Sequence, residues 1–135
     1  MRKLAAGVVF GLFAASLPAK AHMVWLERDA SGGAQAFFGE WDEGGKEKTG
    51  GALDRIATPL AFGAARGEVL SMERKADHIA IAAKGPGDVR LVEEGLAPRD
   101  DRQAGGKTKT IFHAKTGRTD TKAALDLELV PATAG

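Results

Sequence analysis

Beyond residue 22 the apolar residues of this chain recur at every second position in short runs, and no stretch shows the three- and four-residue spacing that gives a helix one buried face. That pattern constrains the fold more than any other feature. Val24 and Leu26 share one face of a run whose other face carries Met23, Trp25 and Glu27. A turn signal, Ala30-Ser31-Gly32-Gly33, leads to Ala36–Trp41, so the two runs predict a hairpin. Further strands are predicted at Glu68–Glu73, His78–Ala83, Val89–Val92 and Lys107–Lys115. Leu125, Leu127 and Leu129 alternate with Asp126 and Glu128, the clearest half-buried strand by pattern. Leu53–Phe62, broken by Pro59, is irregular or a short strand, while 42–51 and 95–106 are polar, glycine-containing loops. About seven short strands without a helix predict an all-β fold, an immunoglobulin-like antiparallel β-sandwich.

Residues 1–21 carry the pattern of an export signal. Arg2 and Lys3 precede an uncharged run from Leu4 to Leu17, and Ala19 and Ala21 are the small residues of an A-x-A cleavage site. The run is shorter than the ~20 residues of a spanning helix. The expected organisation is a signal peptide over 1–21 and a single domain over 22–135, with a periplasmic destination. Removing the segment takes away Arg2, Lys3 and Lys20, leaving 16 basic against 18 acidic residues. That balance opposes nucleic-acid binding, which calls for a basic footprint. The absence of cysteine excludes a thiolate metal site, a redox dithiol and a cysteine nucleophile.

Cleavage after Ala21 would leave His22 as the first residue, whose α-amine and imidazole Nδ1 could close a chelate ring on one metal. Imidazole suits copper, nickel and zinc, and tetragonal nitrogen sites suit divalent copper or nickel. His78 and His113 are the only other histidines, and either one joining His22 would complete a three-nitrogen histidine brace. A lone histidine on a strand is more often solvated or hydrogen-bonded than ligating. The carboxylates Glu27, Glu40, Asp42 and Glu43 cluster around the predicted hairpin, as a solvated rim or as ligands or supports for an imidazole. Met23 and Met72 are read as core filler, and Trp25 and Trp41 as core or cross-strand partners rather than a sugar platform. The glycines near Lys46 lack phosphate-loop spacing, and no G-x-S-x-G elbow is present.

Four segments carry a resemblance: Ala21-His22-x-x-Trp25-Leu26-Glu27, Phe38-Gly39-Glu40-Trp41-x-Glu43, Gly51-x-Leu53-Asp54-Arg55-Ile56 and Leu127-Glu128-Leu129-Val130-Pro131. Together they resemble the exported β-rich domain associated with bacterial nickel and cobalt ABC uptake systems. The resemblance implies a periplasmic protein that binds a metal through its mature N-terminal histidine and hands it to a membrane transporter component. It extends to His22 first, and to Glu27 and Glu40 as members of the matching motifs.

The expectation is therefore a non-enzymatic periplasmic binder of a divalent transition metal, nickel or cobalt first and copper second. Its expected ligands come from His22, His78, His113, Glu27 and Glu40. The alternatives are a copper enzyme built on a histidine brace, and a metal-free exported structural or adhesion sandwich.

Overall fold

The computed structural model describes residues 21–135, so the expected export segment, Ala21 apart, lies outside the described residues. Ten strands follow in order: β1 (Met23–Arg28), β2 (Ala34–Glu40), β3 (Gly45–Lys46), β4 (Leu60–Phe62), β5 (Met72–Arg74), β6 (Ile79–Ile81), β7 (Val89–Glu93), β8 (Arg99–Asp101), β9 (Gly106–Thr108) and β10 (Phe112–Thr116). The first sheet has the order β1-β2-β6-β5, with β3 added to the end of β2; the second has the order β10-β7-β4. All pairings are antiparallel. With β3 and the separate β8–β9 hairpin set aside, these orders are the A-B-E-D and G-F-C sheets of a seven-stranded immunoglobulin sandwich.

The alternation read from the sequence decides what faces inward. Val24 and Leu26 of β1, Ala34, Ala36 and Phe38 of β2, and Ile79 and Ile81 of β6 form one buried cluster with Val89, Leu91 and Ala114 of the opposing sheet. Leu53 and Ile56, flanking a 3-10 turn over Ala52–Arg55, close the same core. The Arg74 guanidinium donates hydrogen bonds to the Leu53 and Ile56 carbonyls, holding that turn against β5.

β7 is buried along its whole length, charged residues included. Its outer face is covered by the C-terminal segment, where Leu125 packs with Phe62 and Val92. Arg90 is fully buried and binds Asp120 at 2.8 Å and Glu128 at 2.7 Å, with Asp88 at 3.8 Å. Lys115 reaches both Asp88 and Glu128 at 3.0 Å. Burial opposes ionisation of Glu128, but Arg90, the Ala124 and Leu125 amides and Lys115 outweigh it and lower its carboxyl to about 2. Asp88 is lowered in the same way: burial raises it, and the Thr119 amide, Lys115 and the Asp120 amide prevail.

Three expectations are corrected here. Leu125–Leu129 is not a strand: Glu128 turns inward to Arg90, leaving Leu127 78% and Leu129 94% exposed. A partner for a buried guanidinium outweighs two leucines, because an uncompensated buried charge costs several kcal/mol. The stretch 95–106, read as a loop, contains β8 and the start of β9, a charged hairpin paired Arg99 to Thr108. In the predicted strand Glu68–Glu73 only Met72 and Glu73 belong to β5, while Val69 makes an isolated bridge to Phe62.

Candidate metal centre

His22 immediately precedes β1 and falls on the same inward-facing set as Val24 and Leu26. Its ring packs against Phe38 with centroids 5.2 Å apart, and Phe38 in turn meets Phe112 at 5.5 Å. His22 therefore sits at the open end of the sandwich, on an aromatic floor, with its side chain about one-third exposed (32%).

The imidazole is held from the other side of β2. Gly44 adopts φ 64° and closes the turn after Trp41–Glu43, so the chain folds back as β3. Gly39, at φ 148°, permits that return: a Cβ there would lie 2.0 Å from the Gly45 carbonyl oxygen. One residue beyond β3 the Glu47 amide donates to the Phe38 carbonyl at 2.8 Å. This places the Glu47 carboxylate on the inward side, where Oε1 lies 2.6 Å from His22 Nε2.

A carboxylate at neutral pH only accepts hydrogen bonds, so Nε2 must be the donor. The neutral ring then keeps its lone pair on Nδ1, the nitrogen that can close a chelate ring with the α-amino group of the same residue. Histidine ligands commonly give their second N–H to a carboxylate in this way, which fixes both tautomer and ring orientation. The Glu47 carboxylate is engaged on Nε2, the ring nitrogen remote from the chelate position, and the Met23 thioether lies on the opposite face of β1, so nitrogen is the donor this position offers.

The other expected ligands lie elsewhere. Ile79 and Ile81 point into the core, so His78 is on the outer face of the first sheet, against Phe37 at 5.6 Å, with Nδ1 2.7 Å from Asp77. His113 alternates with the inward Phe112 and Ala114 and is on the outer face of the second sheet. There it lines a groove of about 460 Å³ with Leu125, Leu127 and Val130, and its Nε2 is buried without a hydrogen-bond partner. The three imidazoles thus occupy three different faces.

Glu27 accepts a hydrogen bond from Trp25 Nε1 at 2.9 Å, on the face away from His22. Glu40, the last residue of β2, lies one position beyond the Met23–Gly39 pair and is itself paired with Gly45 of β3. Among the described residues no group of three or more histidine, aspartate or glutamate side chains is gathered to hold a metal ion. Glu47 was not foreseen from the sequence. It lies in a charged glycine-rich stretch with no periodicity, and only the pair of positive-φ glycines brings it back to β2.

Comparison of the chain with protein-family models, with curated proteins and with solved structures finds no match.

Proposed function

We propose that the protein is a periplasmic, non-enzymatic carrier of a divalent transition metal, nickel or cobalt first and copper second, bound through His22 after cleavage behind Ala21. One observation carries this reading: the 2.6 Å contact between His22 Nε2 and Glu47 Oε1. It directs the free lone pair of the ring to Nδ1, the position from which an N-terminal histidine binds an ion with two nitrogens. Without that proton assignment the chelate would first have to break a hydrogen bond or change tautomer.

The remaining coordination positions fall to water and, on hand-over, to groups of the acceptor. His78 and His113 do not supply them, because their rings face away from His22 on other surfaces. A site with two fixed nitrogens and otherwise exchangeable ligands suits transfer better than storage, since an ion enclosed on all sides leaves slowly. The acceptor is proposed to be a membrane ABC-type metal transporter component, in keeping with the resemblance of the His22, Gly39 and Leu127–Pro131 segments. Binding requires the unprotonated amine and neutral ring, so affinity falls in acid.

The test is calorimetric titration of nickel, cobalt and copper salts into protein whose first residue is His22, beside its His22→Ala variant. Stoichiometric binding lost in the variant supports the proposal. Equal binding by both proteins overturns it.

A further inference from the structure

On the outer face of the second sheet, β10 and the C-terminal segment leave a groove between them. The chain turns back after Thr116 and is tied to the end of β10 at two points. Lys115 Nζ donates to the Leu129 carbonyl at 3.3 Å, and the Gly135 amide donates to the Arg118 carbonyl at 2.9 Å. The groove encloses about 460 Å³, within the range of small-molecule sites. Leu125, Leu127, Leu129 and Val130 supply its apolar walls. Leu127 and Leu129 are the most exposed large apolar side chains among the described residues. Exposed apolar groups gathered around a cavity mark a binding surface.

The polar side chains of the groove decide what it can take. Lys115 gives its three N–H groups to Asp88, Glu128 and the Leu129 carbonyl. Both Glu128 oxygens are taken, by Arg90 and Lys115 and by the Ala124 and Leu125 amides. Two groups remain. Among the described residues the Arg118 guanidinium has no carboxylate partner, and His113 makes no hydrogen bond, its Nε2 being buried without one. Arginine only donates, and a neutral imidazole can donate from either nitrogen. The head group that fits is therefore an acceptor, and the fixed charge of Arg118 selects an anion. No phenylalanine or tryptophan lines the space, so nothing in it offers a face to a planar ring, and the leucine and valine walls suit an aliphatic chain.

We propose that this groove binds an aliphatic monocarboxylate, a medium-chain fatty acid, with its chain against the leucines and its carboxylate on Arg118. A guanidinium and a carboxylate meet through two parallel hydrogen bonds, which fixes the head group. The chain takes Leu127 and Leu129 out of water. A turn of the His113 ring, which no hydrogen bond holds, gives its orphaned nitrogen the same carboxylate as partner. The groove lies on the second sheet, away from His22, and does not rest on metal binding.

The test is calorimetric titration of the protein with hexanoate, octanoate and decanoate at constant ionic strength, with octan-1-ol as the uncharged match for octanoate. Saturable binding is expected, tightening by up to about fourfold for each added methylene. Octan-1-ol should bind at least about tenfold more weakly than octanoate. Arg118→Gln removes the charge and should weaken octanoate by on the order of tenfold while leaving octan-1-ol unchanged. Leu127→Ser should weaken both. Arg118 and Leu127 are exposed, so the melting curves of these variants should match that of the parent. No saturable binding of decanoate, equal binding of octanoate and octan-1-ol, or an Arg118→Gln variant with unchanged octanoate affinity overturns the proposal. Sedimentation supplies one more contrary outcome: a dimer that binds no decanoate and dissociates on Leu129→Ser assigns the groove to a second copy of the chain.

Discussion

The His22 imidazole and the Glu47 carboxylate meet at 2.6 Å across 25 residues of sequence, and the contact depends on a strand of only two residues, β3. The proposed function follows from that geometry, because the carboxylate decides which ring nitrogen can bind a metal.

Glu47→Ala should weaken metal binding by roughly 10- to 100-fold, the range seen when the partner of a ligating histidine is removed. Glu47→Gln should fall between, since its amide oxygen still accepts from Nε2 but carries no charge. The thermal midpoint should barely move, because Glu47 is partly exposed and contributes nothing to the apolar core. Calorimetry beside a melting curve separates the two effects.

Gly39→Ala tests the link between backbone and site. The new methyl group would collide with the Gly45 carbonyl at 2.0 Å, and φ 148° is strained for any residue with a side chain. A loss of stability of about 1–3 kcal/mol is expected. Metal affinity should fall with it even at temperatures where the variant is fully folded, because displacing β3 carries Glu47 away from His22.

His78→Ala and His113→Ala should leave metal affinity within about twofold of the parent. Both rings lie on faces remote from His22, one beside Asp77 and one beneath the C-terminal segment. A large loss in either variant, measured by the same titration, would show that the brace assembles from histidines the fold holds apart.

The C-terminal segment should release in acid. The Glu128 carboxyl is lowered from 4.5 to about 2 in the folded protein, so the unfolded chain takes up its proton first as pH falls. The stabilisation is therefore complete above pH 4.5 and is lost between 4.5 and about 2, with Asp88 shifted in the same direction. Glu128→Ala should cost about 3–5 kcal/mol at neutral pH, as expected when one partner of a buried ion pair is removed. The variant should also lose much of its acid sensitivity, which chemical denaturation at a series of pH values would show.

Much of the sandwich was legible in the sequence because β1 and β6 each bury one face, and one buried face produces alternation, while β2 buries Phe37 as well as Phe38. Where a different interaction decides the structure, alternation misleads. Leu127 and Leu129 follow the pattern of a buried strand, yet they face solvent because Glu128 between them is drawn to Arg90. β8 and β9 are held by backbone pairing between charged residues and bury no apolar face, so no periodicity marked them. In the sequence His22 stands out through the A-x-A pattern that precedes it, whereas Glu47 depends on two glycines with positive φ and a two-residue strand. Trp25 is the cross-strand partner its alternation predicts, stacked on Phe37 of β2, whereas Trp41 falls on the exposed turn after β2 and meets Trp25 edge-on.

The central claim is that the α-amino group and the ring of His22 bind one ion together. Its most direct measurement compares nickel affinity for protein beginning at His22 with that of protein carrying one additional residue ahead of it. A loss of at least about tenfold on extension is expected, since the amine becomes an amide and the chelate opens. Equal affinities for the two forms would contradict it.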